Sequence, residues 1–131
     1  MVSRVHLLSC ALIAWACLPG CEEKREDPGA ALEGHLAAAV AALGDHLEDC
    51  NKGIQGLERY VSEHRDELAA IAEAIRKHER GLSGDEREAY EKQARERGER
   101  TAGLLVTVLK FEQRCPQQVA AVAEALRALG R

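Results

Sequence analysis

The chain has 131 residues, 46% hydrophobic and 31% charged, with a formal net charge of −4 and aromatic residues at only 3%. That length allows one domain with one modest core. The acidic balance lacks the basic footprint of a nucleic-acid-binding protein, so no nucleic-acid partner is expected.

Arg4 supplies a positive start, and Leu7 to Leu18 is a largely apolar run that contains Trp15. A permanent bilayer span needs about twenty apolar residues, so this run has the length of a signal-peptide core instead. It ends in Leu18-Pro19-Gly20-Cys21, which resembles the lipobox of bacterial lipoproteins. The resemblance implies export, removal of residues 1–20 as a signal peptide, and acylation of Cys21, with palmitate among the attached chains. Several chains on one residue exceed the threshold for stable membrane anchoring. By resemblance to enterobacterial sorting, Glu22 after that cysteine leans toward the outer membrane. Residues 21–30, charged and broken by Pro28-Gly29, read as a solvated tether. Cleavage would remove Arg4 and no acid, leaving 17 basic against 22 acidic residues, a net charge of −5.

From Leu32 the apolar residues Leu36, Val40, Leu43, Leu47 and Cys50 recur at increments of three and four, which predicts a helix over 31–50. Asn51 to Gly53, with Gly56 beyond, offer its stop. A second stripe of Ile54, Leu57, Val61, His64, Leu68, Ile71, Ile75, His78 and Leu82 predicts a helix over 53–81 with a coiled-coil-like seam. Ser83 and Glu86 form a capping-box pattern that opens a third helix, 84–114, with Thr101, Leu104, Leu105, Val108 and Phe111 on its apolar face. Leu82-Ser83-Gly84-Asp85-Glu86 also resembles the Leu-Thr-x-x-Gln helix openings of helical periplasmic chaperones, with Glu86 where that pattern has Gln. Pro116 suits the first turn of a fourth helix, 116–130, carrying Val119, Val122, Leu126 and Leu129. The expected fold is all-α: a small antiparallel three- or four-helix bundle with short connections. One long kinked helix in place of the first two, giving an extended hairpin, is the rival arrangement.

Cys50 and Cys115 lie about equally far in sequence from the turn at 82–83, so an antiparallel pair places them at one height. Outside the cytosol, thiols so placed are expected to form a disulfide. The second and third helices outrun the other two, which predicts a projecting two-helix hairpin over about 73–100. Within it, residues 85–100 hold six acidic and five basic side chains in sixteen positions. A helix that polar all round is solvated or meets a polar partner. Glu88–Lys92, Glu91–Arg95 and Glu96–Arg100 are spaced for i,i+4 ion pairs.

Four histidines follow residue 20: His35, His46, His64 and His78. A turn near 49–50 sets His35 opposite His64, and two imidazoles at one height are weak candidates for Zn²⁺ or Cu²⁺. The bland alternative is a pair of tolerated seam residues. No Glu-x-x-His motif supports a di-iron site, no Cys-x-x-Cys-His supports c-type haem, and no Met follows residue 20. Ser62-Glu63-His64 is contiguous, so its side chains do not face one another as a triad would. Cys115 before Pro116 lacks the Cys-x-x-Cys in a βαβ setting that thiol-redox proteins bring. The expectation is therefore a non-enzymatic envelope lipoprotein without a cofactor, bound to its membrane through Cys21. Its contact surface for an envelope protein would be Asp85, Glu88, Glu91, Lys92, Arg95, Glu96 and Arg100. The alternative is a ligand- or metal-binding bundle using His35 and His64. The long seam also permits a dimer.

Overall fold

The computed structural model describes residues 27–130. Its elements are α1 (Pro28–Gly44), α2 (Cys50–Glu63), α3 (Arg65–Arg80), α4 (Gly84–Arg114), a 3₁₀ turn (Pro116–Gln118) and α5 (Val119–Leu129), with no strand among the described residues. The fold is an all-α bundle, with α2 and α3 acting as one bent rod.

Helix α1 begins three residues earlier than its apolar stripe suggests. The Asp27 carboxylate accepts from Gly29 N–H at 3.0 Å, and Pro28 occupies the first turn, where its missing N–H costs nothing. The end of the presumed tether is therefore a helix start. Residues 21–26, with Cys21, and the signal segment 1–20 lie outside the described residues.

The first connection also differs from expectation. Helix α1 stops at Gly44, the chain turns over 45–49, and α2 starts at Cys50 rather than at residue 53. Asp49 fixes this start by accepting from Lys52 N–H at 3.1 Å, a cap worth about 1 kcal/mol. Gly53 and Gly56 then fall inside α2, where they give space rather than stop a helix. Gly53 packs directly under the Phe111 ring, and a side chain at Gly56 would come within 3.5 Å of the Ala42 methyl. The turn rules out the extended hairpin, because α1 folds back along α2 and α3.

His64 divides the expected second helix. Its backbone lies at φ −104° and ψ 13°, between α2 and α3. The bonds His64 N–H to Tyr60 O (3.1 Å) and Leu68 N–H to His64 O (2.8 Å) persist, so the rod bends without breaking. Helix α4 opens as expected: Ser83 N–H donates to the Glu86 carboxylate at 3.0 Å in a full capping box.

Helix α1 lies at the centre and touches α2, α3, α4 and α5. It runs antiparallel to α2–α3 and parallel to α4. Partners along the α1–α4 seam climb in step: Asp27 with Arg97, Glu33 with Arg100, Gly44 with Thr107, and Glu48 with Arg114. The core consists of Val40, Leu43, Leu57, Phe111, Cys115 and Val122, all fully buried, with six further apolar residues around them. Because the N-terminal turn of α1 reaches Ile75 and Arg97, the projecting hairpin is shorter than 73–100. Its tip is tied by Tyr90 Oη donating to Glu79 at 2.9 Å. Two expected apolar core positions, besides the seam residue His78, face water instead. Leu105 is 60% exposed on α4, where Thr101, Leu104, Thr107, Val108 and Phe111 line the side turned to α1, and Val119 is 41% exposed at the start of α5.

Cys50 and Cys115 form a disulfide, with S–S 2.06 Å and Cα–Cα 5.6 Å. It joins the start of α2 to the end of α4 at the end of the bundle opposite the 81–83 turn. Closing a loop of 65 residues stabilises the fold by about 4 kcal/mol in the chain-entropy model. Reduction is expected to lower the unfolding free energy by about that amount, read from urea curves with and without reductant. Gly53→Ala should also destabilise the protein, by about 1–3 kcal/mol, because the new methyl overlaps the Phe111 ring. An unchanged denaturation midpoint would show that α2 moves away from α4 freely.

Candidate functional site

The bend between α2 and α3 positions the candidate site. Tyr60, His64 and Glu67 follow one another at i, i+4 and i+7, so they share one face of the bent rod. Opposite them, α1 presents His35, whose side chain is 11% exposed. The imidazoles of His35 and His64 meet edge to face, with centroids 5.1 Å apart. The structure thus brings together the two histidines that chain arithmetic places at one height.

Two further members were not singled out from the sequence. The Glu67 carboxylate spans both rings, with Oε1 3.2 Å from His35 Nε2 and Oε2 3.2 Å from His64 Nδ1. Tyr60 Oη lies 2.7 Å from His35 Nδ1, and its ring stacks on His64 with centroids 4.2 Å apart. The signal for both was their spacing from His64: Glu67 is three residues after it and Tyr60 four before, on one helical face. One nitrogen of His35, one of His64 and one oxygen of Glu67 lie within 4.8 Å of one another. Such a set can share protons or hold a cation.

Electrostatics follow from these contacts. Hydrogen bonds from His64 and then His35 hold the Glu67 carboxyl below its ordinary range. Burial, with the Glu67 charge second, pushes the Tyr60 phenol up, so Tyr60 stays neutral. The site opens on the Glu67 side, where that side chain is 60% exposed. His46 and His78 stand apart from it. His46 sits in the 45–49 turn, and the exposed His78 packs on Tyr90 with centroids 5.3 Å apart.

The charged surface of α4 is as exposed as its composition implies at Asp85, Glu88, Glu91, Lys92, Arg95 and Glu96. Arg100 departs from expectation. Its guanidinium turns to α1 and donates to both oxygens of Glu33, at 3.0 and 3.2 Å, instead of pairing with Glu96. A planar fork matches a carboxylate bidentately, which outcompetes a single contact along the same helix. That bond draws the Glu33 carboxyl down and the Arg100 group up. Arg97, also on α4, pairs with Asp27 at 3.0 Å.

No helix among the described residues is long and apolar enough to cross a membrane. Comparisons with protein-family models, with curated proteins and with solved structures find no match for this chain.

The lowered Glu67 carboxyl fixes the sign of a pH effect. A carboxylate favoured in the fold contributes stability above its unfolded pKa of about 4.3, and that contribution is lost as pH falls through the lower folded value. Acidification from about pH 6 to about pH 3 should therefore reduce the melting temperature of the parent chain more than that of Glu67→Gln. Equal losses would mean that the two imidazole contacts carry no net free energy.

Proposed function

We propose that the chain is an exported lipoprotein, held to the bacterial cell envelope through acyl chains on Cys21, that acts as a non-enzymatic protein-interaction module. The observation that carries this reading is the Cys50–Cys115 disulfide together with the lipobox-like Leu18-Pro19-Gly20-Cys21. Disulfides persist in oxidising compartments and are rare in the cytosol, so the staple supports export independently of the N-terminal segment. Glu22 favours the outer membrane by the sorting resemblance.

The contact surface is the outward side of α4. Its first half carries exposed charges of both signs at Asp85, Glu88, Glu91, Lys92, Arg95 and Glu96. Its second half exposes Leu105, Val106 and Leu109, each more than half accessible. Apolar side chains grouped beside a charged segment favour protein recognition. An envelope protein that offers an apolar patch rimmed by charges of both signs fits such a face. The charges point outward to solvent instead of converging on a cavity, which supports binding over catalysis.

Labelling cells with tagged palmitate tests the anchor. The parent chain should lose residues 1–20, incorporate label and sediment with membranes, whereas Cys21→Ser should remain unlabelled. An unlabelled parent chain would overturn the anchoring. For the contact surface, neutralising Glu88, Glu91, Lys92 and Arg95 together should abolish a specific cross-link formed by α4 in intact cells. A cross-link that survives the change would place the contact elsewhere.

A further inference from the structure

The triad at the α2–α3 bend has the dimensions of a metal site. Zinc binds imidazole nitrogen and carboxylate oxygen at about 2.0–2.2 Å, so adjacent donors in a tetrahedral shell stand roughly 3.3 Å apart. His35 Nε2 to Glu67 Oε1 and His64 Nδ1 to Glu67 Oε2 are both 3.2 Å. These contacts use different carboxylate oxygens, so for a single Glu67 donor atom one separation already matches a tetrahedral edge. The other separations lie within the 4.8 Å spread of the set, a distance that small side-chain rotations close. We infer that His35, His64 and Glu67 form a binding site for a divalent transition-metal ion of the zinc class, with a fourth position open to solvent. This inference rests on the triad alone and is independent of the anchor and of the α4 surface.

The donor set selects the ion. Two imidazoles and one carboxylate suit Zn²⁺, whereas Ca²⁺ and Mg²⁺ seek shells built from oxygen. The surroundings are also those of a metal-bound histidine. A ligating imidazole usually donates its other N–H to an oxygen, which fixes its tautomer and orientation. When Nε2 of His35 binds the ion, its proton resides on Nδ1 and is donated to Tyr60 Oη, 2.7 Å away. Without the ion the same contacts work in reverse: Tyr60 O–H donates to Nδ1, and Nε2–H donates to Glu67. Entry of the ion thus exchanges the tautomer of His35. His64 changes likewise, giving its Nδ1 to the ion and keeping its proton on Nε2. Packing supplies preorganisation, because His35 is held nearly buried on α1 while His64 and Glu67 lie one turn apart on the rod. The exposed Glu67 side leaves a path for exchange with solvent and room for a water molecule in the fourth position.

The test is titration of the full chain in detergent with Co²⁺, whose visible spectrum reports tetrahedral coordination, followed by displacement with Zn²⁺. One ion per chain with a tetrahedral spectrum is expected, and an equal excess of Ca²⁺ should not displace it. His35→Ala, His64→Ala and Glu67→Gln should each weaken binding by at least about tenfold, and Tyr60→Phe by about tenfold with unchanged stoichiometry. His46→Ala and His78→Ala should bind as the parent does. Circular dichroism verifies that each variant folds, and the exposed position of Glu67 makes Glu67→Gln the decisive variant if His35→Ala does not. Absence of saturable binding up to millimolar metal, or binding undiminished in Glu67→Gln and His64→Ala, would overturn the site.

Discussion

Small side chains on α1 allow four other helices to close around it, and the rest of the bundle depends on that close approach. Ala39, Val40 and Leu43 are buried on it, Ala42 lies beside Gly56 of α2, and Gly44 lies beside Thr107 of α4. Bulkier residues at these positions would hold the axes apart and leave Phe111 without its seat over Gly53. With few aromatic residues to fill space, the bundle brings its helices together over small residues instead. At Gly53 that approach is close enough that a single added methyl group would be felt.

Charge then sets direction and register more than it adds stability. Asp27–Arg97, Glu33–Arg100 and Glu48–Arg114 occur in rising order from the cap of α1 through the turn after it and along α4, which suits only a parallel pairing of these helices in one register. Exposed pairs of this kind contribute little free energy, about 0–1 kcal/mol each. A shift by one turn would nevertheless separate all three at once. The disulfide acts at the same end as Glu48–Arg114 and constrains the unfolded chain, so staple and ion pair favour one assembly from different sides of the equilibrium.

The candidate metal site inherits its geometry from this frame. His35 belongs to the central helix, whereas His64 and Glu67 belong to the bent rod, so the spacing of their donor atoms is the spacing of α1 from the bend. An ion held there would tie α1 to α3 at mid-height, between the disulfide at one end and the Glu79–Tyr90 bond at the other. The α4 surface proposed for protein contact lies on a different helix. Metal occupancy would reach it through α1, which carries both His35 and the partners of Arg97 and Arg100.

Much of the fold is legible in the chain itself. Helical class follows from apolar spacing, and the capping box at Ser83 and Glu86 is a local motif readable from residue types three apart. The heights of Cys50 and Cys115, and of His35 and His64, follow from counting residues about a turn, since each helical residue rises by a fixed amount. Three features needed the tertiary structure. Gly53 and Gly56 have the same local character whether they end a helix or admit a neighbour, and only Phe111 and Ala42 decide between these roles. Leu105 carries the same apolar side chain as Leu104, but α1 covers one and not the other. Glu67 and Arg100 are long side chains with several reachable partners, and the helix across from each selects among them. The sequence by itself determined the helical class, the order of the main helical stretches and the residues that share a level, because these depend on periodicity and length. The tertiary structure decided which helix lies at the centre and which atoms converge at the bend, because these depend on how closely side-chain volumes allow the helices to approach.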